Sequence, residues 1–348
     1  MRVTSELLAL TKGQDTDMTA NAHARAPRTA RQPDVDELRL LAKVARMYHE
    51  QGVRQPQIAA QLSLSQPRVS RLLKQAAELG IVRTVVTMPS GVHGDLEDEL
   101  QGKYGLRDVV VADATSEADL MPVLGSAAAA YLDVTLLGGH VLGISSWSET
   151  LLSAVDRMPR KNVPVVDRVV QILGGLGDPA AQVQATRLTA RFAELTGAMP
   201  VNLPAPGVVA SASTRRAMMG DPTVQAVTAQ WSELTDALVG IGSLEPSPLL
   251  QRSGNAMAEE EQEELRRRGA VGDVCFRYFD ADGKPVASKF DRRVIGITAD
   301  ELVLVPRRIG VAGGARKFEA IRAALRGGWV NVLITDLDMA SRLAEAAD

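Results

Sequence analysis

Cysteine, aromatic residues and long apolar runs are all scarce in this chain of 348 residues. The one cysteine, Cys275, excludes an internal disulfide and any site built from several thiolates, and it fits a reducing, cytoplasmic setting. Aromatics make up 3% of the sequence, so Val, Leu, Ile and Ala must fill the core. No uninterrupted apolar run reaches the ~18 residues that a membrane span needs. The N-terminus lacks the apolar h-region of a secretory leader, so none is expected. His23, His49, His93 and His140 show no metal-ligand spacing, and neither a metal nor any other cofactor is expected. The net charge of −3 means the molecule is not a polycation, so any contact with nucleic acid would need locally concentrated positive charge.

What is present is ordinary globular composition, 45% apolar and 23% charged, over a length that suits about two domains. Residues 1–33 are rich in Ala, Thr, Arg and Gln without sustained apolar periodicity and read as a flexible tail. Arg25, Arg28 and Arg31 within it could touch phosphates or simply be solvated. From Asp34 the pattern turns helical: Leu38, Leu41, Val44, Ala45 and Tyr48 recur at helical spacing, and Gly52 ends the run. Two short helices follow, then a strand is expected over 81–87, with a linker at Pro89-Ser90-Gly91. This delimits a small all-α domain over 34–88 and a larger domain over 92–348. In the larger one, apolar strand-like runs at Val109–Ala112, Val141–Ile144, Val169–Leu173, Ala237–Ile241, Leu302–Val305 and Val330–Thr335 alternate with helical stretches. That alternation predicts an α/β fold with a largely parallel sheet covered on both faces.

The segment 55–74 has the form of a helix-turn-helix. Ile58 and Leu62 lie one turn apart, and the small Ala59 lets a second helix cross closely. Ser63-Leu64-Ser65 makes the turn, with Leu64 inward. Ser65 suits an N-cap and Pro67 the first turn of the second helix. Val69, Leu72, Leu73 and Ala76 form its apolar stripe, opposite Arg68, Arg71 and Lys74. A recognition helix offers N-terminal side chains to major-groove base edges while basic groups hold phosphates. Gln66, Arg68 and Ser70 are the candidate base readers. Arg71 and Lys74 are the candidate phosphate contacts, and Gln57 and Ser65 complete the surface. The plain alternative is a helical hairpin with a solvated charged face.

Together with the segments LGISSWSETL (142–151), QILGGLG (171–177), LPAPGVV (203–209), DALVGIG (236–242), GAVGDVCFRYFDADGKPV (269–286) and GVAGGARKFEAIRAALRGGWVNVLITD (310–336), the run QPQIAAQLSLSQPRVSRLLKQAAELGIV (55–82) resembles the SorC family of bacterial sugar-responsive transcriptional regulators. The resemblance spans nearly all of 36–345, and the last two segments are its most specific part. It implies a sensor domain with a Rossmann-like sheet similar to sugar-phosphate isomerases and deaminases. It also implies double-stranded operator DNA as partner, a homo-oligomer (dimer or tetramer) and a sugar or sugar-phosphate effector that alters DNA binding.

Phosphate binding calls for N–H and O–H donors converging at a strand end or helix start. Gly143, Ser145, Ser146, Ser148, Glu149 and Thr150 supply such a loop, or else a serine-rich cap with no ligand. Many relatives carry Gly-Ile-Ser-Trp-Gly-x-Thr here. This chain has one residue more and an added carboxylate, Glu149, which would repel a phosphate if it faced inward, pointing to a different effector geometry or to an unphosphorylated sugar. Gly174 and Gly175 permit close backbone approach to a ligand, or make a turn. Gln184 matches a sugar-contacting position in relatives, or is a plain surface glutamine. Asp273 could accept from sugar hydroxyls or cap a turn. Lys317, after Gly313 and Gly314, could pair with phosphate as a point charge. Cys275, between Val274 and Phe276, reads as packed core rather than nucleophile. The rival class is an enzyme acting on a sugar phosphate, but no compact acid–base set stands out and a helix-turn-helix would have no part in it.

Overall fold

The computed structural model describes residues 34–82, 89, 91–255 and 257–347. The expected tail, most of the strand expected at 81–87 and Ser90 lie outside them, and Ile81 and Val82 form a bend. The chain divides into two units between Thr87 and Met88.

The first unit holds α1 (Val35–His49), α2 (Gln55–Gln61) and α3 (Gln66–Glu78). Asp34 caps α1 by accepting from the Glu37 N–H at 2.8 Å. Leu41, Val44, Ala45, Met47, Ile58, Ala59, Val69, Leu72 and Ala76 bury together, with Leu62, Leu64 and Leu73 packed against them. Leu38 and Tyr48, on the expected apolar stripe, are 39% exposed each, because the two short helices cover only the middle of α1.

The second unit runs α4 (Gly94–Tyr104), β1 (Asp108–Ala112), α5 (Glu117–Thr135), β2 (His140–Ile144), α6 (Glu149–Arg157), β3 (Val166–Gln171), α7 (Pro179–Thr196) and β4 (Met199–Val201). It continues through α8 (Ala212–Met219), α9 (Pro222–Thr228), β5 (Asp236–Gly240), β6 (Gly242–Ser243), α10 (Pro248–Arg252), α11 (Glu259–Arg267), β7 (Ala270–Val274) and β8 (Arg277–Asp280). It ends with α12 (Ala299–Val303), β9 (Arg307–Val311), α13 (Phe318–Arg326), β10 (Val332–Asp336) and α14 (Leu337–Glu345). Seven strands form one sheet in the order β1-β10-β9-β5-β2-β3-β4, every pair parallel. Its strands read as continuous apolar runs because both faces are covered. Leu142, Ile144, Val169 and Leu238 bury under α5, α6 and α7. Val141, Val170, Ala237 and Val239 bury on the other face under α4, α9, α13 and α14.

The run Leu302–Val305, expected as a strand, is the end of a helix and the turn that leaves it. Thr298 caps α12 and Glu301 returns the bond, a capping box that starts a turn there. Leu302 and Val305 bury while Leu304 is 81% exposed, a one-sided helical pattern. The strand is the next segment, β9, whose two leading arginines hid its apolar half.

This strand order sets the site. From β2 the chain moves outward to β3 and β4, whereas β5 pairs on the opposite side of β2 and leads to β9 and β10. Connections leaving in opposite directions open a crevice beyond the carboxyl ends of β2 and β5, the usual ligand position in open α/β sheets. A three-stranded antiparallel sheet, β6-β7-β8, and an apolar cluster of Trp147, Leu173, Leu249, Phe276, Tyr278, Phe290 and Val294 build further structure around that end.

Candidate functional site

In the first unit, Ser63 takes a left-handed φ of 54°, which turns the chain sharply between α2 and α3. Ser65 is the N-cap of α3 and Pro67 stands in its first turn. Val69, Leu72 and Ala76 face inward, which leaves Gln66, Arg68, Ser70, Arg71 and Lys74 exposed on the opposite side. Arg71 Nε reaches the Pro67 carbonyl at 3.4 Å, and Lys74 lies 3.8 Å from Glu78 across exposed surface, a weak pair that an incoming phosphate can replace. Gln57 is exposed too, but its side-chain oxygen accepts from the Arg54 N–H at 3.3 Å, so it serves the start of α2. The face is uniformly basic from Arg68 to Lys74 in a molecule whose net charge is −3.

In the second unit, Gly143 is the fourth residue of β2, and the loop after the strand is Ser145-Ser146-Trp147-Ser148. Ser145 donates its N–H to the Leu238 carbonyl at 3.2 Å, which ties the loop to β5. The Ser146 hydroxyl donates to the Leu173 carbonyl at 2.7 Å, and Trp147 Nε1 donates to the Gly174 carbonyl at 2.9 Å. Ser146 and Trp147 therefore fasten the loop to the end of β3; the Ser146 proton is already committed. Ser148 caps α6, accepting from the Leu151 N–H at 3.2 Å. Glu149 opens α6 with its carboxylate 3.6 Å from the Arg252 guanidinium, so its charge has a counterion.

The second wall comes from the far side of β5. Lys317 Nζ donates to the Ile241 carbonyl at 2.8 Å, and its charge acts on Asp273. A Cβ on Gly242 would lie 2.1 Å from Asp273 Oδ1, so only glycine lets β6 pass this carboxylate. Asp273 Oδ2 accepts from the Phe276 N–H at 2.9 Å. Burial pushes the Asp273 carboxyl up to about 6, against the pull of that hydrogen bond and of Lys317. Burial also lowers Lys317, with Asp273 acting in opposition. Cys275 and Phe276 occupy the two-residue turn between β7 and β8 with φ of 54° and 63°. Such turns favour Asn-Gly, and holding bulkier residues there costs on the order of 1–3 kcal/mol each. Cys275 is buried as expected of core, and desolvation pushes its thiol up to about 12.

Gly174 sits where any side chain would collide with the Pro206 carbonyl, 2.3 Å from the position of a Cβ. Its neighbour Gly175 packs against the Gln171 side chain. Gln184, on α7, has a buried Oε1 without a hydrogen-bond partner. Gly314 stands further along the sheet, with its N–H donated to Asp336 at 2.8 Å. Ser145, Ser146, Ser148, Gly174, Asp273 and Lys317 are thus linked through direct bonds and shared neighbours. Glu149 turns to Arg252 instead, and Gly314 belongs to the β9–β10 end. Sequence reading missed Trp147, Asn255 and Arg277. Asn255 accepts from the Val208 N–H at 3.0 Å and donates to the Leu176 carbonyl at 3.1 Å, joining two loops of the same rim. A charged residue inside the apolar run Cys275–Phe279 was the available signal for Arg277.

Among the described residues, no group of three or more His, Cys, Asp or Glu side chains could hold a metal ion, and no helix is long and apolar enough to cross a membrane. Comparison with known proteins bears directly on this arrangement. The sugar-binding domain family model (Sugar-bind) matches residues 92–345. The deoxyribonucleoside regulator of Bacillus subtilis is 35% identical over 89% of this chain and 98% of its own length. The sorbitol operon regulator of Klebsiella pneumoniae is 30% identical over 88% of this chain and 98% of its own length. The full-length crystal structure of the latter protein superposes with a TM-score of 0.67 at 28% identity, covering 90% of this chain and all of that one. A regulator's helix-turn-helix followed by a sugar-binding α/β unit is what the two halves of this molecule build, and the chain belongs to the SorC family of sugar-responsive transcriptional regulators.

Proposed function

We propose that this regulator binds operator DNA through α3 as a homo-oligomer and that a sugar phosphate, held in the crevice between β2 and β5, controls the binding. The observation that carries the reading is the meeting of two unlike walls at one strand-end crevice. One wall is a hydroxyl-rich loop at the start of α6; the other carries Asp273 and Lys317, whose buried charges act on each other. The first suits an anion, because the Ser148 and Thr150 hydroxyls and the free N–H groups of a helix start can donate to it. The second suits a polyol, because a buried carboxylate and an ammonium together accept from and donate to hydroxyls. The Glu149–Arg252 pair supports phosphate over a neutral sugar, since the added carboxylate is spent on a cation. A fixed contact to a polyol hydroxyl fits as well: Asp273 accepts from the Phe276 N–H and feels the Lys317 charge.

A thermal-shift screen of pentose 5-phosphates, hexose and hexitol 6-phosphates and the matching free sugars tests the reading. A ligand at one hundred times its Kd should stabilise the fold by about 2.7 kcal/mol. Lys317→Ala should lose most of that shift while still binding DNA. A free sugar that binds tightly while its phosphate does not would overturn the anion-loop assignment. Consumption of the bound sugar phosphate over hours would favour the enzyme class instead.

A further inference from the structure

We propose that Arg277 is a positioning residue for effector binding, one that fixes the distance between the two walls of the crevice without touching the ligand; this rests on the effector reading above. Arg277 is 5% exposed. Its Nε donates to the Ile297 carbonyl at 2.9 Å and its Nη2 to the Gly296 carbonyl at 2.7 Å. Its Nη1 donates to Asp291, at 2.7 Å to the side chain and 3.2 Å to the carbonyl. A buried guanidinium is costly to desolvate, and here four donor contacts offset that cost.

The segment that Arg277 grips is an irregular strap, Val294–Ile297, whose side chains are buried and whose other edge is bonded to the ligand-facing loops. Ile297 donates its N–H to the Ile172 carbonyl at 2.8 Å, and Gly174 donates its N–H to the Ile295 carbonyl at 2.9 Å. A Cβ on Gly296 would lie 2.8 Å from the Leu173 side chain, so strap and loop are in van der Waals contact. Leu173 and Gly174 are the residues whose carbonyls hold Ser146 and Trp147. Across the hairpin, Arg277 on β8 pairs with Val274 on β7, the residue after Asp273, and it directly follows the left-handed Cys275–Phe276 turn. A path of hydrogen bonds joined by one- or two-residue stretches of backbone therefore runs from the Asp273 hairpin, through Arg277 and the strap, to the serine loop. Shortening or removing the guanidinium leaves carbonyls of the strap unpaired and frees one wall to move relative to the other.

A ligand that touches both walls feels their spacing; an ion that touches only the serine loop does not. This separates positioning from general stability. Arg307 supplies the control. It is as deeply buried and is paired with Asp236, but it lies at the amino-terminal edge of the sheet, the end away from the crevice. The experiment measures binding of two probes to Arg277→Gln, Arg277→Lys and Arg307→Gln in the full chain: inorganic phosphate, and the tightest sugar phosphate in the panel. Arg277→Gln should weaken the sugar phosphate at least tenfold while phosphate alone stays within twofold. Arg277→Lys, which keeps the charge but not the fork, should fall between that and wild type and is the variant to rely on if Arg277→Gln does not fold. Arg307→Gln should lower Tm comparably yet leave both affinities within twofold. Unchanged sugar-phosphate affinity in a folded Arg277 variant would overturn the proposal. So would equal losses in Arg277→Gln and Arg307→Gln, or equal losses for both probes. If wild type binds no sugar phosphate at all, the effector reading itself fails, and the proposal fails with it.

Discussion

At the scale of single residues, Asp273 shows how a binding group is held at the expense of the apo fold. Its pKa lies near 6, above its ordinary 3.8, because burial disfavours the charge. The stability contributed by a carboxyl raised in this way is fully present below about pH 4 and is lost as pH rises through 6. At 1.36 kcal/mol per pH unit the loss amounts to about 3 kcal/mol. Asp273→Asn keeps an acceptor for the Phe276 N–H and carries no charge. Its apo form should match wild type near pH 4 and exceed it in Tm at pH 8, while its affinity for the effector falls. Thermal melts of both proteins across pH 4–8 check this; parallel curves would show that Asp273 stays protonated or is hydrated. Glu149→Gln addresses the departure from the family pattern. With Arg252 already neutralising Glu149, the change should leave sugar-phosphate affinity within about twofold, and a marked rise would mean that the carboxylate repels phosphate.

At the scale of elements, α3 divides its labour by face, and its two faces should respond differently to mutation. Leu72→Ala, in the small three-helix core, should cost about 2–5 kcal/mol and abolish DNA binding by unfolding the first unit. Arg71→Ala should leave the helix folded, weaken binding to all sequences and reduce the slope of log affinity against log salt by about one. Gln66→Ala and Arg68→Ala should instead change sequence preference, by about 1–3 kcal/mol at one base pair where the contact is bidentate. Salt titrations and a randomised operator library distinguish these outcomes; wild-type behaviour in all of the surface variants would mean that α3 does not enter the groove. Amphipathic helices such as α3 were legible in the sequence because their period repeats several times. The boundary between α12 and β9 was not. Leu302–Val305 is apolar and short, and only its fit between the Thr298 cap and the sheet decides that it turns. The three short strands β6, β7 and β8 were equally hidden, since a hairpin turned by Cys-Phe carries none of the usual Asn-Gly signal.

At the scale of the whole molecule, one helix-turn-helix reads too few base pairs for specificity, so the operator binding proposed above calls for at least two copies on paired half-sites. Light scattering on the full chain at micromolar concentration should give a dimer or tetramer, and a monomer that binds its operator with full affinity would overturn this. The sequence by itself determined the α/β class, the helix-turn-helix with its buried and basic faces, and the family. These depend on local periodicity and on the order of motifs along the chain. Only the tertiary structure decided which motifs share a site. Ser146 and Leu173 are 27 residues apart, and Lys317 and Ile241 are 76 apart. They meet because the sheet reverses its direction of growth between β2 and β5. The same reversal separates Gly314, and Glu149 is diverted to Arg252. It also gives Arg277 its role, which no local pattern could show: a cation in an apolar strand is tolerable only where distant carbonyls converge on it, and convergence is a property of the fold.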